Sequence, residues 1–283
     1  MNPQALREIL APARPTEVVD IGANPIDGAP PYQAMLEAGL CRVTGFEPQE
    51  EAFAALQAKR GPHERYFPWA VGDGNTHELN LCAAPGMSSL YEPDPAVLEV
   101  FELFKGFGQV LRKVPVATRR LDDVEGIDAI DFLKIDVQGA ELMVFEHGRA
   151  KLARAVAVHT EVSFVGLYRG QPGFGAVDAE LRAQGFIPHA LASLKKWPIA
   201  PCVVNGDPRQ ALHQLLEADI AYVRDFTRPA AMDDEQFKHL ALVAHHCYGS
   251  VDLALRCLMI LEERGAVPAG ARAAYVEALS RRA

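Results

Sequence analysis

The chain has 283 residues, a formal charge of -9 and a charged fraction of 23% against 49% hydrophobic residues. That composition belongs to an ordinary soluble globule and excludes a disordered tail or a collagen-like chain. The negative charge opposes broad binding to nucleic-acid backbones. No run of about 18 apolar residues is present, so no membrane span is expected.

The opening stretch lacks an apolar signal core, and the five cysteines (Cys41, Cys82, Cys202, Cys247, Cys257) are scattered, with no C-x-x-C pair. They read as reduced thiols of a cytoplasmic protein rather than a disulfide framework or zinc site.

In chain order, residues 1–13 predict a short helix before Pro15. Glu17–Ile21 predicts a buried strand turning at Gly22, and Pro31–Ala38 a helix ended by Gly39. Arg42–Phe46 is a second strand, Glu50–Lys59 a helix, and Arg65–Val71 a third strand. Strands alternating with helices over short connections imply a parallel sheet covered on both faces. Residues 74–118 interrupt the rhythm as a strand pair plus the helix Pro95–Phe104.

Alternation resumes with strand Ile130–Asp136, helix Ala140–Glu146, strand Ala155–Val162 and helix Gly173–Gln184. Phe186–Leu191 and Ile199–Val204 suggest a closing hairpin. The remainder reads as helices at Arg209–Ala218, Asp234–Tyr248, Val251–Glu263 and Ala269–Ser280. The expected organisation is a doubly wound α/β domain over residues 1–204 and a helical extension over 205–283, whose apolar stripe Leu240, Val243 and Ala244 suits packing on the domain or self-association.

Ligands of open parallel sheets bind beyond the carboxyl ends of the strands. Five ends carry polar or glycine-bearing turns: Asp20-Ile21-Gly22-Ala23-Asn24, Phe46-Glu47-Pro48, Val71-Gly72-Asp73, Asp136-Val137-Gln138-Gly139, and Glu161 with Ser163. Gly22 permits close approach of a ligand to the backbone. Glu47 stands where a carboxylate accepts both hydroxyls of a ribose, and Asp73 is placed near an adenine edge. The first turn lacks G-x-G-x-x-G, and Asp27 opposes a pyrophosphate, so a ribose ligand without phosphate suits these acids. S-adenosylmethionine is such a ligand.

The runs Val18–Asn24, Phe46-Glu47-Pro48, Arg120-Leu121-Asp122 and Leu133–Glu141 occur in that order, with Glu161 following. In these motifs the chain resembles the FkbM family of S-adenosylmethionine-dependent methyltransferases over roughly residues 16–192. The resemblance implies a class I methyltransferase fold and methyl transfer to a hydroxyl of a small molecule, sugar or glycan. It implies cofactor contacts from Asp20, Gly22, Ala23, Asn24, Glu47, Pro48, Val71, Asp73 and Asp136. Gln138 stands where the family commonly has an acid.

Asp136 is expected to take the hydroxyl proton, with Glu161 as the alternative. Ser88, Ser89, Tyr168 and Arg169 are expected to border the acceptor. Lys134 is expected in an ion pair with an acid such as Glu141. Asp136, Glu141 and Glu161 offer oxygen ligands to a hard cation, although the resemblance requires none. A nucleotide-dependent oxidoreductase and a non-catalytic methyltransferase-like partner are the rival readings.

Overall fold

The computed structural model describes residues 2–24 and 28–280; Pro25 and Asp27, and with them the reading of Asp27, lie outside the described residues. Among the described residues ten strands run in chain order: β1 (Thr16–Ile21), β2 (Cys41–Phe46), β3 (Glu64–Phe67), β4 (Ala70–Gly72), β5 (Thr76–Cys82), β6 (Val110–Arg120), β7 (Phe132–Ile135), β8 (Ala157–Ser163), β9 (Phe186–Lys196) and β10 (Leu215–Arg224).

The main sheet has the order β3-β2-β1-β7-β8-β10-β9. Its first five strands are mutually parallel, and β10 runs antiparallel to both β8 and β9. A small second sheet, β4-β6-β5, stands beside it. The expected third strand therefore divides at Pro68: Glu64–Phe67 stays in the main sheet, while Ala70–Gly72 pairs with β6. Proline has no N–H to continue a ladder.

The helices are α1 (Pro3–Leu10), α2 (Gln33–Glu37), α3 (Glu50–Lys59), α4 (Pro95–Leu98), α5 (Phe104–Phe107), α6 (Glu141–Glu146), α7 (Arg149–Leu152), α8 (Phe174–Ala183), α9 (Asp234–Tyr248), α10 (Val251–Glu263) and α11 (Ala271–Ser280). Asp233 caps α9 through a reciprocal capping box with Gln236, and Gly249 ends it in the left-handed region.

Two apolar layers cover the main sheet. Val19, Ile21, Leu133, Ile135, Val158 and Ile220 pack toward α6 and α8. On the opposite face, Val18, Phe132, Ala157 and Val223 pack against α1, α2 and α9 to α11. The stripe Leu240, Val243 and Ala244 is thus buried within the chain.

The sequence reading fails at the last strand. Residues 209–218 are not a helix: Leu215–Arg224 forms β10, inserted between β8 and β9. The expected hairpin partner Ile199–Val204 contains no strand. The sheet therefore extends well past residue 204, and the helical part begins with α9.

Candidate active site

One face of the sheet changes character along its strands. Val18 is followed two residues later by Asp20, Phe132 by Lys134 and then Asp136, and Ala157 by His159 and then Glu161. Residues two apart share a face. Each strand therefore leaves the cover of α2 and α9 apolar and enters open space polar. Because β10 runs the other way, Asp219 and Glu217 fall opposite Glu161 and Ser163. Ser193 and Lys195 of β9 complete these rows.

The floor so formed belongs to a cleft of about 820 Å³, also lined by Ala23, Tyr32, Tyr66, Phe107, Tyr168 and Trp197. A second, narrower cavity lies on the other side of the first strand-end turn, lined by Gly22, Glu47, Pro48, Trp69, Val71, Ser88 and Ser89. Asn24, Gly86, Asp136 and Gln138 line both.

Asp20 is 2% exposed. Tyr32 donates its hydroxyl to Oδ2, and the Lys134 ammonium lies 3.4 Å from Oδ1. Lys134 also donates to the Gly22 carbonyl at 3.1 Å. Burial opposes the lysine's charge, but Asp20 and Asp136 outweigh it and raise its pKa. The partner of Lys134 is thus Asp20 rather than Glu141.

Glu47 is also 2% exposed, and its Oε1 accepts the Gln49 N–H at 2.8 Å. Burial raises its pKa against that bond. Phe46, Phe67 and Trp69 stack beside it, and the Arg119 guanidinium lies 3.6 Å from the Trp69 ring centre.

At the turn after β7, Gln138 takes a positive φ of 54°. This unusual backbone for a side-chain-bearing residue aims its amide at both acids. Its Nε2 donates to Asp136 Oδ1 at 2.8 Å and to Glu161 Oε2 at 3.3 Å. Burial, followed by repulsion from Asp136 and Glu217, holds Glu161 well above the ordinary carboxylate range.

Glu141 accepts the N–H groups of Val137 and Gly139 at 2.9 and 3.2 Å, and burial pushes its carboxyl up to about 7. Asp136, Glu141 and Glu161 bring carboxylate oxygens within 4.8 Å of one another. Protein donors already claim oxygens of all three.

Several expected contacts need correction. Gly22 is required by its φ of +76° and by the Asp136 carbonyl, 1.9 Å from where a Cβ would stand, and it also lines the narrow cavity. Asp73 faces neither cavity. Burial would raise its pKa, but bonds from His77 and Asn75 hold it well below the usual range, and Thr118 adds a further donor. Its carboxylate is spent on closing its own turn.

Ser88 and Ser89 line the narrow cavity rather than the cleft, with Ser89 Oγ donating to the Gln138 carbonyl at 2.6 Å. Arg169 lines neither cavity and faces Glu92 at 3.8 Å. Tyr168 does line the cleft, and its hydroxyl donates to the Met87 carbonyl at 3.2 Å.

The reading missed Tyr32, Trp69, Ser193, Lys195, Glu217 and Asp219. For the last two the signal was present. In Leu216-Glu217-Ala218-Asp219-Ile220, apolar and acidic residues alternate with the period of a half-buried strand.

The sheet order, with its antiparallel penultimate strand and cavities at the parallel strand ends, defines a class I methyltransferase fold. The Methyltransferase FkbM domain matches residues 20–188, and the chain belongs to that family. The 2-O-methyltransferase NoeI of Sinorhizobium fredii is 30% identical over 173 residues, covering 54% of this chain and 66% of that protein, slightly under two thirds of its length.

Among solved structures, the chain is similar to magnesium protoporphyrin IX methyltransferase from Synechocystis PCC 6803 with bound SAM (11% identity, 79% of each chain, TM-score 0.39). It is also similar to precorrin-6y C5,15-methyltransferase from Geobacter metallireducens (9% identity, 78% of this chain and 87% of that one, TM-score 0.36). Among the described residues no helix is long and apolar enough to cross a membrane.

Proposed function

We propose that the protein transfers the methyl group of S-adenosylmethionine to a hydroxyl of a saccharide or similar polyhydroxylated small molecule. The observation that carries this reading is the meeting of two unlike cavities at Asp136, Asn24 and Gln138.

The narrow cavity has the parts an adenosine takes. Glu47 offers a buried carboxylate to the ribose hydroxyls, with Trp69, Ala70 and Val71 as apolar walls for the base. Gly22, Pro48, Ser88 and Ser89 complete its lining. In the cleft, Asp20 and Lys134 offer opposite charges to the ammonium and carboxylate of the methionine end. When bound, S-adenosylmethionine supplies an electrophilic methyl group.

The protein's own work is to hold the acceptor in line, keep water out and take a proton. Asp136 stands at the junction and is assigned the proton, held in position by Gln138. Glu161 is the alternative, one strand further from the narrow cavity. Tyr66, Tyr168 and Trp197 offer flat apolar faces, and Glu161, Glu217 and Asp219 offer acceptors for hydroxyls. That pairing suits a sugar ring, in keeping with a relative named as a 2-O-methyltransferase.

The free cysteines support a cytoplasmic setting. Self-association through the C-terminal helices is part of the same proposal, and sedimentation velocity measures it.

The reading is tested by calorimetry with S-adenosylhomocysteine, then mass spectrometry of a panel of methyl glycosides incubated with S-adenosylmethionine. Binding plus a mass gain of one methyl on a hydroxyl supports it. Failure to bind S-adenosylhomocysteine contradicts it.

A further inference from the structure

The C-terminal helices lie outside the family-matched segment, yet one of their side chains reaches the cleft floor. Tyr248, the last residue of α9, stacks on His159 of β8 with ring centroids 6.1 Å apart and planes inclined by 10°. The Tyr248 hydroxyl lies 3.2 Å from His159 Nδ1. His159 lines the cleft and is only 9% exposed. Its Nε2, on the opposite edge of the ring, has no hydrogen-bond partner among the described residues.

Nε2 therefore opens toward the cleft, where a ligand group or water can answer it. The ammonium of the neighbouring Lys134, its register partner on β7, points to Asp20 and the Gly22 carbonyl rather than to this nitrogen.

We propose that His159, held from behind by Tyr248, selects acceptors that carry a second hydroxyl beside the one to be methylated, by hydrogen-bonding that second hydroxyl through Nε2. This rests on the methyltransferase reading and adds the acceptor class, a vicinal diol rather than a lone alcohol.

Chemistry supports the choice of group. If Nδ1–H donates to the Tyr248 oxygen, Nε2 presents a lone pair; if the Tyr248 hydroxyl donates to Nδ1, Nε2 carries the proton. A hydroxyl both donates and accepts, so it answers either tautomer. Burial lowers the imidazole pKa, which favours the neutral ring.

Spacing supports it as well. His159 pairs with Lys134, and Asp136 lies two residues further on, just past the end of β7. With strands ~4.8 Å apart and ~3.3 Å per residue, the two backbones stand ~8 Å apart on the diagonal. A diol with a hydrogen bond of ~2.8 Å at each end reaches between side chains projecting from those positions. Tyr248 then explains why the helical extension bears on the site: it fixes the ring from outside the matched domain.

The test uses the full chain, labelled with 15N and saturated with S-adenosylhomocysteine. The probes are trans-cyclohexane-1,2-diol, methyl α-D-glucopyranoside, methyl α-D-galactopyranoside and, as control, cyclohexanol. The expected result is a shift of the His159 Nε2 resonance with at least one of the diol-bearing probes and none with cyclohexanol. His159→Phe keeps a ring against Tyr248 and removes Nε2. It should bind S-adenosylhomocysteine as the parent does, which also shows that it folds, and weaken diol binding about tenfold. Tyr248→Phe should lie between the two.

A His159 resonance unmoved by every diol-bearing probe, or moved equally by cyclohexanol, overturns the inference. So does unchanged diol affinity in His159→Phe. A parent chain that does not bind S-adenosylhomocysteine contradicts the methyltransferase reading instead, so the two failures are distinct.

Discussion

Lys134 and Asp20 face each other across the β1–β7 pair, with Nζ 3.4 Å from Oδ1, at the point where the sheet floor turns from apolar to polar. Their side chains are 15% and 3% exposed. Removing one partner of a buried pair strands the other charge, which costs about 3–5 kcal/mol. Lys134→Met is therefore expected to destabilise the protein by about 3 kcal/mol. Asp20→Asn alone should cost a comparable amount, and the double variant distinctly less than the sum. Urea unfolding of the four proteins measures the coupling, and additive losses would contradict the pairing.

The second prediction concerns Glu47 and Trp69. If the narrow cavity takes adenosine, Glu47→Ala loses charge-assisted hydrogen bonds worth about 1.5–3 kcal/mol each. Affinity for S-adenosylhomocysteine should fall at least tenfold. Trp69→Ala should also weaken it, by removing a wall of the cavity. Calorimetry checks both, with Asp73→Asn as a control that should bind normally, because that carboxylate faces its own turn.

A third prediction follows from Glu141, whose carboxyl is raised by burial from 4.5 to about 7. Between these values the folded state holds a proton that the unfolded state has released. Unfolding then releases that proton, so this group's contribution to stability falls as pH rises from about 4.5 to 7 and is level above. Other groups titrate in the same range; buried histidines with lowered pKa values act in the opposite direction. The readout is thus the stability difference between the parent and Glu141→Gln. That difference should shift against the parent by about 3 kcal/mol across the window. A difference independent of pH would contradict it.

The placement of β10 gives a fourth. A chain ending at Asn205 lacks a strand from the interior of the sheet and should show no cooperative thermal transition by circular dichroism. It also lacks Glu217, Asp219 and Tyr248. A cooperative melt from that shortened chain would contradict the observed strand order.

The parallel half of the sheet was legible because β1, β2, β7 and β8 are short, largely apolar runs ending in a polar or glycine-bearing turn. That pattern located Asp20, Glu47 and Asp136 together. What it could not show is the packing demand at Gly22, where the close neighbour is the Asp136 carbonyl, 114 residues further along the chain.

The acceptor side was less legible. Glu217 and Asp219 lie in a run rich in alanine and leucine that also suits a helix, and only its period-two alternation separates the two. Asp73 looked available because the bonds from His77 and Thr118 depend on the pairing of β5 and β6, which the local sequence does not announce. Trp69 was passed over inside a run read as one strand, although Pro68 marks the break.

The central claim, that cofactor and acceptor meet at Asp136, is tested most directly by a crystal structure of the protein with S-adenosylhomocysteine. The account predicts ribose hydroxyls on Glu47, adenine against Trp69 and Val71, and the sulfur turned toward Asp136 at the opening into the large cleft. A nucleoside bound elsewhere, or one whose sulfur points away from Asp136, would contradict it.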